Sequence, residues 1–461
     1  MTRLVRRAQV YAAILGAAAI GVPSAILVLS GADAGRAAWD AAIYHERVIR
    51  SFIEQFPWLD IRNPLTTTTP GYHAALAAFG AAVSDAPIAL RLAATAVGAA
   101  LVAFVAAWCA GRRGTAQGTL LALPLACSVY VIGSAAWPLP DDAAWTLVAL
   151  TLALSLREPW SMRASASAAA ALVALVLVRQ VHIWTALPLA VACMIPPAEA
   201  ARGGQDAGTP LMRRVAVAAA TLTPACVAVA AFVLLWRGLV PPRFQRDVTG
   251  INLATPAYVL LQFAVAGVAF LPWLGPAVAG AWSTRRTTLA LAAAGALAIA
   301  AVPATVPDQA AGRYSGLWGA LAWLPSVAGH SNVGVLLLAP AGGVLMASAL
   351  MGIARRPRAI LCAAVIGFVA AVTATHYSWQ RYHEPGVLLL LAMISALQPA
   401  RADRSARLRP MMALAIGALC AALWVIAWRG LQGAPVDRTE QPAAEHLLPG
   451  ERFPATPAAA R

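Results

Sequence analysis

Apolar runs recur from one end of this chain to the other, and that pattern constrains its fold more than anything else in it. Hydrocarbon offers no partner to a backbone N–H or C=O, so a stretch that crosses it must satisfy those groups internally, as a helix does. Only 11% of the 461 residues are charged, against about 25% in soluble domains. The reading is an all-α polytopic membrane protein with no soluble domain of useful size. The net charge of +15 would suggest nucleic acid in a soluble protein. Here the basic residues are all arginine, without one lysine, and cluster in short loops between apolar runs. That is a topology signal, not a nucleic-acid footprint. The alanine and arginine bias suggests a GC-rich bacterial genome.

Basic connections fall at Arg3/Arg6/Arg7, Arg112-Arg113, Arg157/Arg163, Arg202 to Arg214, Arg285-Arg286, Arg355-Arg356/Arg358 and Arg401 to Arg409. With these and the N-terminus placed in the cytoplasm, thirteen spans alternate without conflict. They cover 10–30, 88–110, 115–136, 142–156, 165–178, 183–196, 215–236, 257–280, 287–304, 332–354, 359–375, 385–399 and 410–428. The first is read as a retained signal-anchor helix. The apolar stretch 74–83 is too short to cross and is read as a half-helix or re-entrant piece. The polar segments without a basic run, 31–69, 137–142, 179–182, 237–255, 307–332 and 376–385, then share one extracytoplasmic face. Residues 1–428 form one transmembrane domain, and the proline-bearing 429–461 reads as a disordered outer tail. Cys109, Cys127, Cys193, Cys226, Cys362 and Cys420 lie in apolar runs with no CxxC pair, so neither a disulfide framework nor a metal site is expected.

The first outer loop carries the densest chemistry. From Trp39 to Phe56, Ile43, Val48, Ile49, Phe52, Ile53 and Phe56 recur at helical spacing, with Arg47, Arg50 and Glu54 toward the other side. This predicts an amphipathic helix on the membrane surface, with Asp40, Tyr44, His45 and Glu46 near its start. Asp40 also suits a helix N-cap. Thr66, Thr67, Thr68 and Thr69, followed by Pro70-Gly71-Tyr72-His73, form an extended segment whose hydroxyls and amides suit a sugar or phosphate, or serve simply as a polar loop. Asp141-Asp142 meets the outer face, where one carboxylate can cap the next span. Arg179-Gln180-Val181-His182 interrupts an apolar stretch, and an arginine inside a membrane is a functional candidate by default. In His376-Tyr377-Ser378-Trp379-Gln380-Arg381-Tyr382-His383-Glu384-Pro385, Arg381 suits a phosphate. The same run also fits an aromatic interfacial belt with a snorkelling arginine. Arg313 is a further candidate of the same kind.

These residues resemble a family. Ile43-Tyr44-His45, then Thr67-Thr68-Thr69-Pro70-Gly71-Tyr72, is similar to the first outer loop of the dolichyl-phosphate-glucose α-1,2-glucosyltransferases and their bacterial relatives, within the GT-C superfamily of membrane glycosyltransferases. Pro138-Leu139-Pro140-Asp141 resembles the family's aromatic-Thr-Asp element, and Val178-Arg179-Gln180-Val181-His182-Ile183-Trp184 its Arg-Gln-Thr-Asn-Ile-Val-Trp segment. Asp247 to Asn252, after Pro241-Pro242-Arg243-Phe244, resembles the loop preceding a later span, and these three pieces agree in order. The cluster Gln380-Arg381-Tyr382-His383-Glu384-Pro385 resembles one of the bacterial members only. The family carries an Asp-Glu pair before Ile-Phe-His, where this chain has Ala41-Ala42. Either Asp40 or Glu46 takes that role at a shifted register, or the chain is catalytically altered.

The resemblance implies a GT-C-like bundle in a bacterial inner membrane. Its substrate would be a sugar on polyprenyl phosphate, and its acceptor a hydroxyl of a glycan, lipid or protein. It implies Asp40 as base with Glu46 in reserve, and Arg381, Arg179 and Arg313 on the donor phosphate. Tyr44, His45, Thr67, Thr68, Thr69, Tyr72, His73, Asp141, Asp142, His182, His383 and Glu384 would contact sugar or acceptor. No cofactor is required, although Asp141, Asp142 and His45 could hold a divalent metal. A transporter or flippase for a lipid-linked substrate is the rival, but such proteins show repeats and mid-span polar residues. Neither is evident here.

Overall fold

A computed structural model describes residues 3–31, 38–158, 161–195 and 210–399, with residues 417, 425, 429, 440–443 and 446–447 beyond them. The described chain is almost entirely helical, its only strands a two-residue pair, Ser326–Val327 and Ser331–Asn332. Each of the first twelve ranges read as spans contains a helix, and the thirteenth, 410–428, lies outside the described residues. Six helices are long and apolar enough to cross a bilayer, or seven counting one pair bent by 78°, so by that measure the described residues fall short of thirteen spans. The shortfall comes from short helices such as α7 (Asp141–Ser155), α8 (Met162–Val178) and α14 (Arg286–Ala301). At 1.5 Å per residue these reach roughly 22–26 Å, less than the hydrocarbon core. The chain is a multi-pass membrane protein.

The long N-terminal helix α1 (Arg3–Ser30) lies against α4 (Pro87–Arg113). Small residues let them meet closely: a Cβ on Gly16 would lie 2.9 Å from that of Ala106. The bent pair is α5 (Thr115–Ala126) and α6 (Val129–Ala136). Helix α9 (Ala186–Met194) follows a 3-10 turn at Gln180–Thr185, and α10 (Leu211–Trp236) lies at the periphery. Helices α12 (Thr255–Gly267), α13 (Leu271–Thr284), α16 (Val333–Met351) and α17 (Arg355–Thr373) complete one side, with the short α11 (Gln245–Val248) and α15 (Leu317–Leu321) in the connecting segments. At the centre runs α18 (Gln380–Leu397), every residue from Val387 to Ala396 buried.

The two ends of the bundle differ in chemistry. At one end, Arg113 donates to the carbonyls of Ser395 (3.0 Å) and Ala396 (3.1 Å), closing the last turn of α18. There Arg356 donates to Ser155 and Ala192 at the ends of α7 and α9, and Arg214 to Met194. These side chains satisfy carbonyls that a helix C-terminus leaves unpaired. At the other end, all six polar segments are tied together. Gln180 donates to Thr67 and Leu239, Arg243 N–H to Asn63, and Asn252 to Ala311 and His376. The bonds Arg381–Asp40 and Arg179–Asp141 complete the set.

The first loop folds as a π-helical turn, Ala41–His45, running into α2 (Glu46–Gln55). Its apolar face does not rest on lipid. Ile43, Val48 and Phe52 pack on Leu65, Ala77 and Phe244, while Ile49 packs on Tyr72, Leu76 and Leu90. The protein itself covers that stripe because α3 (Gly71–Ala82) and the 237–244 segment fold under it. Helix α3 is the piece read as a half-helix: 12 residues, about 18 Å at 1.5 Å each, too short to cross. Its start needs glycine, since a Cβ on Gly71 would lie 2.6 Å from the Leu177 carbonyl.

Candidate functional site

The π-helical turn sets the site in place. Such turns carry one extra residue per hydrogen-bonded loop and are frequent at functional sites. Asp40 stands at the head of the turn and His45 closes it. Behind them Glu46 accepts from Arg91 of α4 through Nε (3.1 Å) and a terminal nitrogen (2.8 Å), both side chains buried. This ion pair moors the first loop to α4, so Glu46 has a structural partner where Asp40 has a different one.

Asp40 accepts from Arg381 at 2.6 Å, with the two side chains 29% and 28% exposed. Arg381 also lies over the ring of Tyr382 (5.1 Å) and donates to its hydroxyl at 3.4 Å. Arg179 lies over the same ring, also at 5.1 Å, and pairs with Asp141. The result is an array: carboxylate, guanidinium, phenol ring, guanidinium, carboxylate. Burial works to raise the Asp40 carboxyl, but the charge and hydrogen bond of Arg381, with the charge of Arg179, outweigh it and hold it below the ordinary carboxylate value. Burial lowers the His45 imidazole, and the carboxylates of Asp40 and Asp141 only partly offset it. His45 is therefore neutral near pH 7, sharing a 2.8 Å hydrogen bond with His73, whose ring stacks on it.

Two helix N-termini meet at the array. Asp141 and Asp142 occupy the first turn of α7, where the helix dipole favours negative charge. Arg381 occupies the first turn of α18, where the dipole disfavours a cation, and Asp40 offsets that cost. Asp142 is buried, with neither carboxylate oxygen hydrogen-bonded, and lies beside Gly98. Tyr72 is buried next to His73.

The structure brings Asp40, His45, His73, Asp141, Arg179 and Arg381 together and sets the other candidates around them. Tyr44 is buried and meets the C-terminal segment: its hydroxyl lies 2.9 Å from Nδ1 of His446 and accepts from Ala443 N–H. Arg47 donates to the Glu440 carbonyl and Arg243 to that of His446, whose ring packs on Phe244. The threonines hold the loop. Thr66 and Thr68 bond to each other, Thr67 accepts from Gln180, and Thr69 bonds to Gln180 and Val176. His182 lies in the core against Trp145 and Trp184. His383 meets Gln262 of α12, and Glu384 accepts from Ser128 at 2.6 Å and from Gln380. Arg313 binds the Val306 carbonyl and Asp308, closing its own loop.

Sequence reasoning missed Tyr382, which both guanidinium groups cover, and Arg91. Arg91 carried a readable signal, since an arginine between Leu90 and Leu92 in an apolar run is a default functional candidate. Among the described residues no group of three or more His, Cys, Asp or Glu side chains could hold a metal ion. No family model matches this chain, and no curated protein or solved structure is significantly similar to it.

Proposed function

We propose that this protein is a membrane glycosyltransferase of the GT-C type. It transfers a sugar from a polyprenyl-phosphate donor to an acceptor hydroxyl, with inversion, at the extracytoplasmic face of a bacterial inner membrane. The observation that carries this reading is the array Asp40–Arg381–Tyr382–Arg179–Asp141. A base and two cations stand within one cluster, at the end of the bundle away from the arginine-capped helix ends. Positive-inside orientation puts that end outside the cytoplasm. The thirteen-span topology belongs to this reading, with residues 410–428 as the last span.

In the proposed reaction the acceptor oxygen attacks the anomeric carbon while Asp40 takes its proton. The bond from that carbon to the phosphate oxygen breaks, and the electron pair leaves with the polyprenyl phosphate. Arg381 and Arg179 stabilise the charge that develops on that leaving group. Asp40 is held by Arg381 in the free protein. A phosphate that engages Arg381 draws it off Asp40, and the carboxylate becomes a stronger base once the donor is bound. Neutral His45 and His73 supply hydrogen-bonding edges without adding charge. The test is transfer of radiolabelled sugar from polyprenyl-phosphate-sugar by purified protein in detergent, wild type beside Asp40→Asn. Transfer lost in the variant supports the reading, and undiminished transfer removes Asp40 as base. Donor that crosses reconstituted vesicles without transfer would replace this reading by a flippase.

A further inference from the structure

The array opens onto a larger group of aromatic rings, of which Tyr382 is the one that both guanidinium groups cover. Trp379 is its centre. Tyr377 lies 4.5 Å from it at 33°, Tyr382 at 5.5 Å and 24°, and Tyr314 at 5.5 Å and 75°. All four are half-buried, and Arg381 lies over both Trp379 and Tyr382.

The rings come from two distant segments that are firmly tied. Asn252 donates to Ala311 at 2.9 Å and to His376 at 2.8 Å, and Ser378 N–H donates to the Gly312 carbonyl. Trp318 Nε1 donates to the Ser378 carbonyl at 2.7 Å, and Leu317 N–H to Gln380. Gly312, at φ +68°, allows the closest approach: a Cβ there would strike the His376 carbonyl and lie 3.0 Å from Tyr377 Cα. An interfacial belt sets rings singly around a perimeter, facing headgroups. Here the rings touch one another and converge on an ion pair.

We infer that Tyr314, Tyr377, Trp379 and Tyr382 form a platform for a pyranose ring. One face of a pyranose is lined with C–H bonds, whose positive edge suits the negative face of an aromatic ring. Its rim of hydroxyls suits the charged, planar guanidinium of Arg381. The sugar is either the donor's own or a residue of a glycan acceptor. This inference deepens the glycosyltransferase reading and rests on it for the fate of the sugar, but binding does not depend on turnover.

The experiment is saturation-transfer NMR on the purified full chain in detergent, with maltotriose and the methyl glycosides of glucose and mannose as probes. Wild type transfers saturation to the C–H protons of one ring face. Trp379→Ala weakens binding about tenfold, as the loss of one good aromatic contact implies, while Trp379→Phe retains most of it. Tyr382→Leu, a second variant, repeats the loss if Trp379→Ala fails to fold. Adding polyprenyl-phosphate-glucose removes the signal if the platform holds the donor's sugar and leaves it if the platform holds the acceptor's. Saturation by none of the probes, or equal saturation in folded Trp379→Ala and Tyr382→Leu, overturns the platform. Asp40→Asn separates the two ideas. Transfer unchanged in that variant sinks Asp40 as base and leaves the platform standing, while transfer lost with probe binding kept supports both.

Discussion

Arg113 and Arg381 meet opposite ends of the same central helix, and the contrast between them organises the molecule. Arg113 donates to the carbonyls of Ser395 and Ala396, where the negative end of the α18 dipole welcomes a cation. Arg381 sits at the positive end of that dipole and needs Asp40 at 2.6 Å to hold it. Arg356, 5% exposed, repeats the first pattern on α7 and α9 while also pairing with Glu158 at 3.2 Å, and Arg179 with Asp141 repeats the second. An arginine on helix carbonyls stabilises the bundle. On the proposed reading, an arginine held by an aspartate between helix N-termini exchanges that partner for the donor phosphate.

The comparison breaks most decisively at Asp40. Asp40→Asn is expected to lower transfer by about 10² to 10⁴, the contribution of a positioned base, with the thermal midpoint nearly unchanged. A large loss of stability instead would make Asp40 a capping partner like those at the far end. Glu46→Ala leaves Arg91 buried without its carboxylate, and removing one partner of such a pair costs about 3–5 kcal/mol. Denaturation should report that loss; an unaltered midpoint would show that water reaches Arg91.

Arg381→Gln is expected to cost about 10² to 10³ in transfer, as for one donor to a developing anion. It should also move the pH profile. Asp40 is held below its ordinary value of about 4, so its charge is kept above that pH and lost only as pH falls through the lower folded value. With Arg381 gone, burial prevails and the acid limb of kcat/KM shifts upward. An unmoved limb would mean that the limb belongs to another group. At the far end, Arg356→Ala leaves carbonyls of α7 and α9 unpaired and should cost about 1–3 kcal/mol of stability, with transfer per folded molecule unchanged. The smallest effect belongs to Tyr44→Phe, which removes the hydrogen bonds to Ala443 and His446, worth about 1 kcal/mol. A rise in transfer in that variant would identify the 440–447 segment as a brake on the site.

Much of the site was legible in order but not in pairing. Asp40, Arg179 and Arg381 stand out because a charge beside an apolar run demands a reason. Their partners lie far along the chain, Arg381 being 341 residues from Asp40, and no local pattern joins them. Arg381 and His383 are neighbours in sequence, yet two residues turn a helix by about 200°. One therefore meets Asp40 and the other Gln262. Arg313 reads like Arg381 in sequence, and only the closure of its own loop sets it apart.

Sequence alone determined that this chain is helical and multi-pass, because hydropathy acts locally and hydrocarbon leaves the backbone no other choice. It also determined that six polar segments stand apart from the arginine-rich loops. Tertiary structure decided which carboxylate meets which guanidinium, that Glu46 is taken by Arg91, and that the amphipathic stripe of α2 is covered by protein rather than lipid. Those outcomes depend on how segments rotate and approach where the absence of a side chain, as at Gly16, Gly71 and Gly312, permits contact. Packing of that kind is a property of pairs of segments, and no single segment encodes it.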